Sequence, residues 1–330
     1  MLSSFPGEVK PFRLELPTGL QVGSVNAYLF LEPEPVLVDT GLKSDESWFA
    51  LEKGLAQHGL AVSDIARVII THAHVDHYGQ AGAIIENNKA DVWISQLGVP
   101  WLREEEEYDV LRHNFYRDFF LPSIGLAPEI MQMVQAGYKA MTKQTHPIPA
   151  SRIRPFNLND KLQMGGRDWQ VLHTPGHASM QTCFYDPQHR LLLSADMLLA
   201  TTPTPVVESP LDGSWNRVPA LPLFLQSLDK IEALEIDTVL PGHGQPFGDH
   251  RAVIGRQRER IYRRRDECLG FIKAGCHTPL ELLDKMYSHQ PQVFRFTGLW
   301  MLIGYLDLLE IDGSIQRETK EGVWHYYSKT

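Results

Sequence analysis

The sequence predicts a layered α/β domain with a helical insert, followed by a small helical module that ends in a β-hairpin. Three observations carry this. Short apolar runs alternate with helix-period segments through the first 250 residues. An aromatic-rich and methionine-rich stretch interrupts that alternation between residues 97 and 150. Beyond His250 the pattern turns helical three times and closes on a two-strand signal at Gly313 to Tyr327.

The opening segment, Phe12 to Asp39, carries apolar runs (Val25 to Leu31, Val36 to Val38) broken by Pro-Thr-Gly and Glu-Pro-Glu-Pro, and reads as successive antiparallel strands. Ser44 starts a helix with Trp48, Leu51 and Leu55 on one face. A strand over Asp64 to Ile70, a helix over residues 78 to 88 and a strand over Val92 to Ser95 follow. After the insert, strands resume at Trp169 to His173, Thr182 to Tyr185, Leu191 to Ser194 and Asp237 to Leu240. Helices are expected at Arg251 to Lys273, from Pro279, and at Gly298 to Leu309. With the terminal hairpin these are the parts of a winged helix, a module expected to have its own core. Phe294, Phe296, Leu299, Trp300, Ile303 and Leu306 read as packing residues that suit a core or a homodimer contact. The division is thus residues 1–250, including the 97–150 insert as a lid, and residues 251–330.

With 330 residues and 43% of them hydrophobic, the chain can bury one large core. No apolar run approaches the ~18 residues of a membrane span, and Met1 to Phe12 lacks the pattern of a signal peptide. The expected location is the cytoplasm. Cys183, Cys268 and Cys276 form no C-x-x-C pair, which agrees with a reducing compartment. Net charge is -9, with 18 Lys+Arg against 30 Asp+Glu up to residue 250 and the remaining 13 against 10 afterwards. That balance disfavours nucleic acid as a partner and leaves a small-molecule substrate. Glu104 to Glu107 reads as a solvated helix face.

Thr71-His72-Ala73-His74-Val75-Asp76-His77 places four potential metal ligands directly after an apolar strand. In an extended loop His72 and His74 point to one side and can share a cation, while a turn lets Asp76 and His77 reach a second. Imidazole with carboxylate suits divalent Zn, Mn or Fe. Further candidates stand at three other strand ends: Thr174-Pro175-Gly176-His177, Ser194-Ala195-Asp196 and Pro241-Gly242-His243-Gly244. His173 reads as a packed or supporting histidine.

These motifs, in this order, resemble the metallo-β-lactamase superfamily over residues 12 to 250. The resemblance implies an αββα sandwich and a dinuclear metal centre. His72, His74 and His177 would hold one metal, Asp76, His77 and His243 the other, with Asp196 bridging. Asp39-Thr40-Gly41 matches the family's turn beside the site, so Asp39 and Thr40 would support the ligands through hydrogen bonds. His74 in place of Glu argues against a diiron electron-transfer member. Asp196, where the commonest true β-lactamases carry Cys, resembles the glyoxalase II, lactonase and ribonuclease branches. Gly242-His243-Gly244-Gln245 departs from the glyoxalase II pattern. The segment after His243 resembles the branch with a C-terminal winged helix, which includes an endoribonuclease.

The resemblance implies metal-assisted hydrolysis by a bridging hydroxide that attacks an ester-like carbonyl (thioester, lactone or ester), with Asp76 orienting the nucleophile and moving a proton. Tyr116 and Phe119 of the insert are expected to line the substrate pocket. Arg256, Arg260 and Arg264, spaced by four on one helix face, present either an anion site or a charged outer face. Two other readings stay open: a metal-dependent endoribonuclease or phosphodiesterase, and a winged-helix nucleic-acid-binding regulator with a metal-sensing domain.

Overall fold

The computed structural model of the chain describes residues 11–20, 22–86, 88–103, 106–142, 144–206, 217–290 and 292–329. Glu104 to Glu107 as a group and the side chains of Phe294 and Phe296 lie outside the described residues. Six strands form the first sheet in chain order: β1 (Phe12–Leu16), β2 (Val25–Phe30), β3 (Val36–Val38), β4 (Arg67–Ile69), β5 (Asp91–Ser95) and β6 (Ile153–Phe156). The first three pair antiparallel and the last four parallel. The second sheet contains β7 (Lys161–Met164), β8 (Arg167–His173), β9 (Thr182–Asp186), β10 (Leu191–Ala195) and β11 (Thr238–Pro241), with β10 and β11 parallel.

Alternation along the strands builds the layers, because successive side chains leave a strand on opposite faces. Tyr28, Phe30, Val36, Val38 and Ile69 point from the first sheet onto Trp169, Val171, Phe184, Leu191 and Leu193 of the second. Val25, Ala27, Leu29 and Leu37 point the other way, onto Leu51 and Leu55 of the helix Asp45–Gln57 and onto Ile84 and Ile85 of the helix Ala81–Glu86. Ser44 caps the former helix, its side-chain oxygen accepting from the Ser47 amide at 3.1 Å. On the outer face of the second sheet, Cys183, Leu192 and Val239 meet Phe224 and Leu228 of the helix Ala220–Glu232. The result is helix, sheet, sheet, helix.

The strand expected over Asp64 to Ile70 is shorter, since Val62–Asp64 forms a helical turn before β4. Sequence reading passes over β6, β7 and the helix Ala220–Glu232.

The C-terminal part holds the helices His250–Lys273, Pro279–Met286 and Gln292–Ile311 and the hairpin β12 (Ile315–Lys320) and β13 (Val323–Ser328). Its core differs from expectation. Leu302, Ile303, Tyr305, Leu306 and Trp324 belong to one buried cluster with Phe224 and with the insert residues Phe115, Tyr116 and Phe120. The last helix is apolar around most of its circumference, so it needs neighbours on more than one side. Phe120 stacks on Trp300 at 4.7 Å between ring centroids and 8° between planes. A buried Arg217–Asp307 ion pair ties the loop before the helix Ala220–Glu232 to the same element.

Trp169 is fully buried between the sheets, edge-on to Phe30 at 5.6 Å, and its indole N–H donates to the Met164 carbonyl at 3.1 Å. Trp169→Ala is expected to cost about 3–5 kcal/mol of unfolding free energy in urea denaturation, through the cavity and the lost contact area. A loss below about 1 kcal/mol would show that the interface between the sheets is not organised around this ring.

Candidate metal centre

Four strand ends converge. The loop after β4 delivers His72 and His74, and the short helix Val75–Tyr78 then turns Asp76 and His77 inward. The β8–β9 connection carries His177, and β11 ends just before His243. At the end of β10 the register with β11 shifts between Leu193 and Ala195, and Ala195 takes a φ of 44°, uncommon for a residue with a Cβ. This kink ends β10 immediately before Asp196. Gly242 is required by the same crowding: a Cβ there would strike Asp196 Oδ1 and come within 3.0 Å of His77 Cε1.

The side chains form two adjacent groups. His72 Nε2 lies 3.0 Å from His74 Nδ1, which lies 2.8 Å from His177 Nε2. On the other side His243 Nε2 lies 3.4 Å from Asp76 Oδ2. Asp196 stands between them, with Oδ2 3.4 Å from both His177 Nε2 and His243 Nε2, and Oδ1 3.4 Å from His77 Nε2. Within each of the sets His72–His74–His177, His72–His77–Asp196 and Asp76–His77–His243, the potential ligand atoms lie within 4.8 Å of one another.

Every imidazole except that of His74 is held through Nδ1, which leaves Nε2 for the centre. His77 Nδ1 donates to Asp39 Oδ2 at 2.8 Å, His177 Nδ1 to the Pro205 carbonyl at 2.7 Å and His243 Nδ1 to the Ser24 carbonyl at 2.9 Å. His72 Nδ1 donates to the Thr71 hydroxyl at 3.0 Å, and that hydroxyl donates on to Asp39 Oδ2 at 2.9 Å. These tautomers follow from the acceptors each ring meets. Asp39, at a φ of 61°, thus orients two of the histidines, while Thr40 donates from its amide and hydroxyl to the His77 carbonyl at 2.7 and 3.0 Å.

The electrostatics divide the cluster. Burial, then neighbouring imidazoles, holds His72 well below the usual histidine range and His74 down to about 3. Burial also opposes a charge on His77 and His243, yet Asp196 and the other carboxylates outweigh it, raising His77 well above the ordinary value and His243 to about 9. For Asp196, burial is outweighed by His77 and His243, which hold the carboxyl well below its ordinary value. The side of Asp76, His77 and His243 therefore attracts a proton or a cation. His77 Nε2, His243 Nε2 and Asp196 Oδ1 are buried without any hydrogen-bond partner. Buried polar atoms left unpaired are costly, and a divalent cation is the partner that this mixed imidazole and carboxylate set fits.

The other expected site residues lie elsewhere. Tyr116 packs edge-on to Trp300 at 5.7 Å and Phe119 to Trp324 at 6.0 Å, in the seam with the C-terminal part. Arg264 is drawn to Glu267 and the Met286 carbonyl. Arg256 and Arg260 border a cavity beside the loop that follows Asp196. His173 donates to the Ser179 carbonyl at 2.7 Å and joins no ligand set. Three contributors escape sequence reading: Thr71, and Asn26 and Tyr28 of β2. Asn26 Nδ2 donates to the Pro241 and Gly244 carbonyls at 2.9 and 2.8 Å, and the Tyr28 hydroxyl to Pro241 at 2.8 Å, clamping the turn that carries His243. The polar Asn26 inside the apolar run Val25 to Leu31 was the available signal.

Asp39→Asn keeps the shape but replaces an acceptor with an amide nitrogen at His77 or Thr71. Affinity for a divalent cation, measured by competition with a chromogenic chelator, is expected to fall about 10–100-fold. Unchanged affinity would reduce Asp39 to a turn residue.

Residues 20–243 match the family model of the Metallo-beta-lactamase superfamily. The chain is 23% identical over 304 residues to "Probable metallo-hydrolase YqjP" of Bacillus subtilis (strain 168), covering 92% of each chain. It is 24% identical over 230 residues to the human "Acyl-coenzyme A thioesterase MBLAC2", covering 66% of this chain and 72% of that one. Among solved structures, the metallo-beta-lactamase family protein TTHA1429 from Thermus thermophilus superposes with a TM-score of 0.81 at 25% identity, over 99% of this chain and 100% of that one. With residues 20–243, more than half of the chain, matching its model, the chain belongs to the Metallo-beta-lactamase superfamily and is a hydrolase of that family.

Proposed function

We propose that the chain is a dinuclear metal-dependent hydrolase of an ester-like carbonyl compound, a thioester, lactone or ester. The observation that carries this is the position of Asp196, whose two oxygens face His77, His177 and His243 and so touch both ligand groups. His72, His74 and His177 would hold one cation, Asp76, His77 and His243 the other, and Asp196 both. Zinc suits this donor set. Such a pair supplies Lewis acidity and a nucleophilic water at neutral pH.

The chain's own residues do the rest. With burial outweighed by the neighbouring imidazoles of His77 and His243, the Asp76 carboxyl is lowered to about 2 and is ionised at neutral pH. It can orient an attacking water, accept its proton and deliver that proton to the leaving group. Thr71, Asp39, Pro205 and Ser24 fix the imidazoles of His72, His77, His177 and His243, so these four rings need not reorganise during the reaction.

The similarity to the human acyl-coenzyme A thioesterase supports a thioester or related carbonyl substrate. A ribonuclease reading needs a free basic track. On the helix His250–Lys273, however, Arg251, Arg258, Arg264 and Arg265 are each engaged with carboxylates. The winged-helix-like arrangement of the C-terminal helices and hairpin reads as a packing element, since Leu302, Ile303 and Leu306 of its last helix are buried in the shared core. No helix among the described residues is long and apolar enough to cross a membrane. Free, buried Cys183 and Cys268 accord with a cytoplasmic location.

Purified enzyme screened against thioesters, lactones, esters and RNA is expected to turn over a carbonyl substrate. His72→Ala should lower kcat by about 100-fold or more while circular dichroism stays unchanged. Metal-dependent cleavage of RNA with no carbonyl turnover would reverse the assignment.

A further inference from the structure

A cavity of about 180 Å³ opens between the loop Leu199 to Thr204 and the helices Ala220–Glu232, His250–Lys273 and Gln292–Ile311. Its floor is buried and apolar, made by Leu199, Phe224, Val253 and Ile261. Arg256 and Arg260, both exposed and one helical turn apart, stand on its rim. Drug-sized ligands need about 300–1,000 Å³, so this space suits one group of a ligand.

The two rim arginines differ from four other arginines of their helix. Arg251 pairs with Glu235, Arg258 with Asp229 and Glu232, Arg264 with Glu267, and Arg265 with Asp266 and Asp312. Among the described residues neither Arg256 nor Arg260 pairs with a carboxylate, and no acidic residue lines the cavity. Gln257, between them, donates from Nε2 to the Leu199 carbonyl at 3.3 Å, and its Oε1 is buried with no partner.

The cavity wall is also the support of the metal centre. The Thr204 hydroxyl donates to the Asp196 carbonyl at 2.9 Å, and the Pro205 carbonyl receives His177 Nδ1 at 2.7 Å. Phe224 of the floor abuts Gly176, where a Cβ would lie 2.5 Å from Phe224 Cα, next to His177. One loop and one ring therefore border both the cavity and two candidate ligands.

We infer that this cavity is a substrate subsite which takes the anionic end of an amphiphilic ester: a carboxylate, sulfate or phosphate on a short apolar stem. The stem fills the floor, and the guanidinium groups of Arg256 and Arg260 grip the anion at the rim. This rests on the ester-hydrolase reading for the reaction, but its ligand chemistry can be tested without turnover.

Two measurements compare the metal-loaded wild type with the R256Q/R260Q double variant, after metal content and circular dichroism show both to be intact. The first is calorimetric binding of hexyl phosphate. The second is the ratio of kcat/KM for mono(4-nitrophenyl) adipate to that for 4-nitrophenyl hexanoate, esters that differ in a terminal carboxylate. Loss of two charge-assisted contacts is expected to weaken hexyl phosphate binding about tenfold or more and to lower the ratio by a similar factor, through KM. Hexyl phosphate affinity within about twofold of wild type overturns the subsite, whatever the esters do. Weakened binding with an unchanged ratio also overturns it as a substrate subsite. Weakened binding with no turnover of either ester supports the anion subsite and removes the ester reading.

Discussion

The whole arrangement depends on keeping the carboxylates of Asp76 and Asp196 and the imidazoles of His72, His74, His77, His177 and His243 in one buried cluster, with their donor atoms aimed at common points. Left alone, such groups repel, misorient or take up protons, and their desolvation would cost several kcal/mol each. The protein meets this with second hydrogen bonds: Asp39 to His77 and Thr71, Thr71 to His72, Pro205 to His177 and Ser24 to His243. What these bonds leave bare, above all His77 Nε2, His243 Nε2 and Asp196 Oδ1, is the shape of a cation site.

That constraint explains otherwise odd local features. Asp39 and Ala195 have positive φ because the chain must reverse sharply at the ends of β3 and β10 to place an acceptor and a ligand. Gly242 lacks a side chain because the β10 and β11 ends and His77 meet there. Asn26 and Tyr28 place polar groups inside the sandwich to hold the Pro241 to Gly244 turn from the opposite sheet. The site is thus locked by contacts between the sheets, and the core around Trp169 is what holds the sheets in register.

The candidate ligands were legible in the sequence because each sits in a short local pattern: a histidine cluster after an apolar strand, or a glycine or small residue beside a His or Asp at a strand end. The layers were legible from period-two and helical spacing. The helix Ala220–Glu232 was not, since Pro222 in its first turn resembles a breaker until the helix start is known. β7 escapes notice because its four residues alternate polar and apolar too briefly to stand out. Supports such as Asn26 to Pro241 span 215 positions, and no local pattern encodes such a bond. The same holds for the insert, whose Tyr116, Phe119 and Phe120 suggest a pocket by composition but find Trp300 and Trp324 near the other end of the chain. The pairing of Arg258 and Arg264 with carboxylates, which sets them apart from Arg256 and Arg260, likewise emerges only when the helices are packed.

The central claim is that Asp196 joins two ligand groups into one dinuclear centre, and elemental analysis tests it most directly. Protein purified without chelators and equilibrated with zinc should carry about two equivalents, whereas Asp196→Ala should lose metal from both positions and His243→Ala mainly from one. A wild-type protein that binds a single equivalent, with no second taken up at excess metal, would contradict the account.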